Sequence, residues 1–276
     1  MRRVLALPGL WLALFLAVPF GIVLAMSFAT ADADRAPPVA FSLTLKNYAL
    51  LFSDPLYLAA WIASLRIAAT STLVALLLGY PMALAIARAP RRRQPLLLAL
   101  VILPFWTSFL IRVYAWMGLL ADNGILNNLL KTLGLASAPG TILGTEWAVH
   151  LGIVYAYLPF MVLPIYAVLE RQDRALLEAA ADLGAAPWAA FVTITLPLSQ
   201  PGIVAGCLLV FIPSVGEFVI PDLLGGTGTP MIGKVLWDEF FLNADWPLAS
   251  AVAVCLLALL AVPIALFQRH HAERLR

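Results

Sequence analysis

Long apolar stretches separated by short polar ones dominate the chain. Leu10–Phe28, Trp61–Ala87, Leu96–Leu120, Trp147–Leu169, Gly202–Leu224 and Pro247–Phe267 each run to about the 20 mostly apolar residues that a helix needs to cross a bilayer. Backbone groups in lipid must find partners within their own segment, so these six stretches predict helices. The short alternating segments of a membrane β-barrel do not occur. The expectation is one all-α membrane domain, residues 1–276, with six transmembrane helices.

Composition supports lipid as the solvent. The 276 residues are 63% hydrophobic and 12% charged, about half the charge of a soluble domain, and the mean hydropathy is +0.95. Arg2 and Arg3 precede the first apolar stretch, and Ala31-Asp32-Ala33 loosely resembles a cleavage site. The stretch exceeds the 7–15 residues typical of a signal core, which predicts an uncleaved anchor. Cys207 and Cys255 lie inside apolar runs and read as small buried hydrophobes; the spacing of a disulfide framework or metal site is absent.

The basic residues orient the spans. With both termini inside, eleven arginines fall in inner segments, among them Arg88, Arg91, Arg92, Arg93, Arg171 and Arg174. Only Arg35, Lys46, Lys131 and Lys234 fall outside, so the positive-inside bias places both termini in the cytoplasm. The remaining two, Arg66 and Arg112, lie within spans. Outer segments carry Asp32, Asp34, Asp54, Asp122, Asp238, Glu239 and Asp245, a rim that would raise the local concentration of a cation.

The loop from 170 to 201, between the fourth and fifth spans, is the longest inner segment. Its Ala-rich run from Arg174 to Leu183 predicts a helix, Gly184 suits the helix end, and Pro187 fits the first turn of a second short helix. The reading is a helix–turn–helix on the cytoplasmic side, broken again by Pro197 and Pro201 before the fifth span. Small residues at 179, 180 and 181 allow close approach of another protein, and Glu178 and Asp182 share one face.

That loop carries a family resemblance. Glu178-Ala179-Ala180, three residues, Gly184, nine residues, then Ile194-x-Leu196-Pro197 resembles, without a gap, the loop motif of permeases in binding-protein-dependent ABC importers of type I. The resemblance implies a MetI-like permease fold in a bacterial inner membrane. It implies that Glu178, Ala179, Ala180, Asp182 and Gly184 form the helix that couples to a cytoplasmic ATPase. The chain lacks the GxxxxGK[ST] motif, so ATP and its Mg are expected on a partner subunit, with no cofactor and no enzyme activity here.

An ionisable residue inside a span points by default to a substrate path. Glu217 and Asp222 lie in a fifth span weakened by Pro213, Gly216 and Pro221, and irregular backbone at that depth lines cavities. Glu217 beside Phe218 suits an ammonium group, by charge and by ring face; a structural pair with Arg112 is the alternative. In the third span Phe105, Phe109 and Trp116 fall near one stripe, with Trp106 and Tyr114 on a neighbouring one. These aromatics either pack against other helices or line a cation path.

The stretches 103–127, 152–165, 211–226 and 231–250 resemble the polyamine branch of these importers, the putrescine permeases first and the spermidine permeases second. The resemblance implies a heterodimer with a second permease, two ATPase copies, a periplasmic binding protein, a polyamine substrate and surrounding lipid, with no nucleic acid. Importers of another small solute and a carrier working alone are the competing readings. The second leaves the loop motif unexplained.

Overall fold

The computed structural model describes residues 2–32, 34–133, 142–226 and 228–274. Ala33 of the cleavage-like triplet, Arg276, and the side chains of Arg2, Arg3, Arg269 and Arg274 lie outside that description. In chain order the elements are α1 (Arg2–Ser27), the two-residue antiparallel pair β1 (Thr30–Ala31) and β2 (Val39–Ala40), α2 (Lys46–Ser53), α3 (Pro55–Arg88) and α4 (Gln94–Ile102). A 3-10 turn (Leu103–Trp106) leads to α5 (Phe109–Leu120), α6 (Ile125–Thr132), α7 (Glu146–Leu169), α8 (Ala175–Asp182) and α9 (Pro187–Ala190). A π-helical turn (Phe191–Thr195) then leads into α10 (Leu196–Val215), α11 (Val219–Leu224), α12 (Ile232–Phe241) and α13 (Trp246–Arg274).

Among the described residues, five helical segments are long and apolar enough to cross a membrane: Pro8–Ser27, Pro55–Arg88, Phe109–Thr132, Glu146–Leu169 and Pro187–Val215. Gln94–Trp106 and Trp246–Val262 are apolar but shorter. The third expected span is therefore divided. Pro104 opens the 3-10 turn, and Thr107 and Ser108 are extended (ψ 151° and 138°). The Thr107 hydroxyl donates to the Pro104 carbonyl at 2.8 Å, satisfying one of the groups this break frees. The fifth expected span breaks where its glycine and prolines predict, between Val215 and Val219.

The break expected at Pro197 and Pro201 is absent: helix continues from Pro187 to Val215. The widened turn supplies the reason. Leu196 N–H bonds to the Phe191 carbonyl, five residues back, and the backbone re-enters α-helix with Pro197 in its first turn, where a missing N–H costs nothing. Gln172 Nε2 donates to the Thr195 carbonyl at 3.2 Å.

The chain resolves into two compact units, Met1–Ala63 with Pro230–Arg276, and Ser64–Thr229. In the first, α1 lies against α13. A core of Leu51, Tyr57, Ile232, Leu248 and Val252 ties α2, the start of α3, α12 and α13 together. Buried Glu239 accepts the Tyr57 hydroxyl at 2.7 Å and Asn243 Nδ2 at 2.9 Å. In the second unit the main packing is α7 against α10. Arg66, placed in a span by the sequence, reaches Glu146 at 2.5 Å, and His150 joins Glu146 to the Ser71 hydroxyl.

Two glycines set the α7–α10 distance. A Cβ on Gly202 would stand 2.8 Å from the Pro164 carbonyl oxygen, and one on Gly206 would stand 2.9 Å from Met161 Sδ. Small residues four apart let membrane helices approach to backbone contact. Gly202→Leu must push against backbone and is expected to destabilise the subunit by about 1–3 kcal/mol. A melting midpoint in detergent equal to that of the parent would refute that close approach.

Candidate functional site

Both helix breaks flank one cavity. It measures about 500 Å³ and is lined by Phe105 and Phe109 beside the first break, Tyr157 and Phe160 from α7, and Glu217 and Phe218 in the second. Gly152 brings the second break to its place. A Cβ there would come within 2.8 Å of Ile220 and Leu224, so only glycine lets α11 settle on α7.

Glu217 is 7% exposed. Its Oε1 accepts the backbone N–H groups of Phe218, Val219 and Ile220 at 3.2, 3.0 and 3.4 Å, and Tyr157 donates its hydroxyl to Oε2. The carboxylate thus satisfies N–H groups that the start of α11 would otherwise leave unpaired. Tyr157 is the partner that sequence reasoning missed; a tyrosine inside an apolar span carries no signal of where its hydroxyl points.

Arg112 lines the same cavity but forms no ion pair with Glu217. Its guanidinium stacks over Phe105 at 4.7 Å and Phe109 at 5.8 Å, and its buried Nε and Nη1 make no hydrogen bond. These ring faces already hold a cation. Phe160 meets Phe105 edge-on at 5.2 Å and extends the aromatic wall. The cavity does not gather the other predicted residues. Trp106 is 81% exposed, Tyr114 is exposed, and Asp222 lies on the exposed side of α11. Trp116 packs edge-on to Tyr155 at 5.3 Å, away from this cavity.

The loop between α7 and α10 has the predicted helix–turn–helix form. α8 buries no residue, and Glu178, Ala179 and Asp182 are exposed. Its end is closed by two bonds, Gly184 N–H to the Ala181 carbonyl and Ala185 N–H to the Ala180 carbonyl, both 2.9 Å. This closure places Gly184 at φ 79°, a conformation that glycine adopts freely. Pro187 opens α9, and Leu183 and Trp188 stand 89% and 73% exposed beside the carboxylates. Exposed apolar side chains next to paired acids are suited to an apolar groove with a basic rim.

Residues 75–276 match the model of a family described as the binding-protein-dependent transport system inner membrane component. The spermidine/putrescine transport system permease protein PotB of Haemophilus influenzae is 45% identical over 259 residues, 94% of this chain and 90% of that protein. PotB of Escherichia coli K12 is 42% identical, covering 94% and 93%. One chain of a solved bacterial alginate ABC transporter, in complex with an alginate pentasaccharide-bound periplasmic protein, shares the fold. Its TM-score is 0.75 at 21% identity, over 99% of this chain and 94% of that one. With the ungapped Glu178–Pro197 spacing and the helical fold that presents it, these matches show that the chain belongs to the inner membrane components of binding-protein-dependent transport systems, the MetI-like permeases of ABC importers.

Proposed function

We propose that this permease is half of the translocation path of an ATP-driven polyamine importer. The observation that carries the cation reading is Glu217, a buried carboxylate in a wall of aromatic rings, in a cavity opened by two helix breaks. A primary ammonium gains both from the carboxylate's field and from ring faces, more so where water is excluded. The spermidine/putrescine names of the relatives at 42–45% identity support the same class. In this reading six crossings leave both termini in the cytoplasm. A second permease completes the path, a periplasmic binding protein delivers the substrate, and two ATPase subunits bind ATP and Mg. Glu178, Ala179, Ala180, Asp182 and Gly184 meet the ATPase. Phe105, Arg112, Glu217 and Phe218 line the path; Trp106, Tyr114 and Asp222 serve it from outside this cavity.

The test is uptake by the complete complex in proteoliposomes. Labelled putrescine and spermidine are expected to enter in an ATP- and binding-protein-dependent manner. Uptake of an oxyanion or a neutral sugar, with neither polyamine entering, overturns the assignment.

A further inference from the structure

A second cavity, of about 730 Å³, lies at the base of the α8 loop. Arg88 at the end of α3, Arg91 in the following turn and Arg174 just before α8 line it, and none of the three forms an ion pair among the described residues. Two carboxylates share the lining, and both face internal groups. Asp173 accepts the Ala175 N–H at 3.0 Å, and Glu170 stands beside the Tyr166 hydroxyl. The balance is one net positive charge, with three unpaired guanidiniums.

Thr195, also in the lining, is 2% exposed, and its Oγ1 is buried without a hydrogen-bond partner. Neighbouring hydroxyls in regular helix bond back to the preceding turn: Thr193 to the Ala189 carbonyl at 2.7 Å and Ser199 to the Leu196 carbonyl at 2.8 Å. Thr195 sits in the π-helical turn, where the carbonyls are displaced from that register, and such turns recur at functional sites. A buried hydroxyl without a partner is costly unless something supplies one.

We propose that this cavity binds a phosphate group, held by Arg88, Arg91 and Arg174 and hydrogen-bonded by Thr195. Arginine forks match phosphate oxygens in geometry as well as charge. A ligand held in this way ties the start of α8 to the foot of α3 and to the π-turn, so it restrains the loop assigned above to the ATPase. The phosphate comes either from an anionic lipid headgroup or from a soluble phosphate compound. The inference uses the proposed orientation only to name the leaflet. Binding is read directly, so failure of polyamine uptake leaves it standing.

The test uses the complete complex in nanodiscs of phosphatidylcholine alone, or mixed with phosphatidylglycerol, and a third sample in phosphatidylcholine with added pyrophosphate. Native mass spectrometry reads retained lipid, and the melting midpoint reads stabilisation. Preferential retention of phosphatidylglycerol assigns a lipid source, and a pyrophosphate-dependent rise in midpoint without it assigns a soluble one. In either case Arg88→Gln with Arg91→Gln should weaken the effect about tenfold, the scale of a lost charge-assisted contact. Thr195→Val should weaken it while raising the ligand-free midpoint, because an unpartnered hydroxyl is removed, and Thr195→Ser should restore binding. Absence of both ligand effects, or variants that bind as well as the parent, overturns the proposal.

Discussion

Glu217→Gln is expected to lower polyamine uptake by roughly 10- to 100-fold, the loss of one charge-assisted contact, while the subunit assembles normally. The geometry makes glutamine a clean probe of charge. Its amide oxygen can still accept the N–H groups of Phe218, Val219 and Ile220, and its NH₂ can face Tyr157, whose hydroxyl rotates to accept. Glu217→Ala tests something else. It leaves those N–H groups without an acceptor and should destabilise the subunit by about 1–3 kcal/mol for each one that water cannot reach. Transport at the parental rate by the Gln variant, together with a melting loss in the Ala variant, would reduce Glu217 to a cap for α11.

Glu178→Arg should abolish most ATP-driven uptake while the amount of inserted subunit stays the same. Glu178 makes no hydrogen bond or ion pair among the described residues, and α8 buries none of its side chains. Within the chain, the reversal therefore removes only a favourable helix-dipole contact of about 0.3–1 kcal/mol. Against a basic partner surface it places like charges together, which costs several kcal/mol, or more than about tenfold in affinity. Uptake and ATP hydrolysis measured together in proteoliposomes discriminate the outcomes. An unchanged ratio of solute moved to ATP hydrolysed would sink the docking role of α8.

Much of the α8 loop was readable in advance because its signals are local. Alanine favours helix over any short stretch, Gly184 is needed where φ is positive, and Pro187 fits a first turn wherever one begins. The weakening of the fifth span at Gly216 was readable for the same reason. The division of the third span was not foreseen, although Pro104 was visible, because prolines inside helices are often absorbed. Pro159 and Pro164 sit within α7, and Pro201 and Pro213 within α10, without ending either. Whether a proline breaks a helix depends on what satisfies the freed carbonyl. Here Gln172, about 20 residues away in sequence, bonds to Thr195, and no local rule anticipates that.

Hydrophobic runs, arginine positions and the Glu178–Pro197 spacing were enough to identify a helical membrane permease and the loop that marks its family, because run length, charge bias and turn chemistry act over a few residues. Which aromatics share a cavity was decided only in three dimensions. Phe105 and Trp106 are adjacent, yet the first holds the Arg112 guanidinium and the second is exposed, since the 3-10 turn rotates them apart. The pairing of Glu217 with Tyr157 instead of Arg112 likewise follows from the seat that Gly152 leaves for α11 on α7, a contact between residues far apart in the chain.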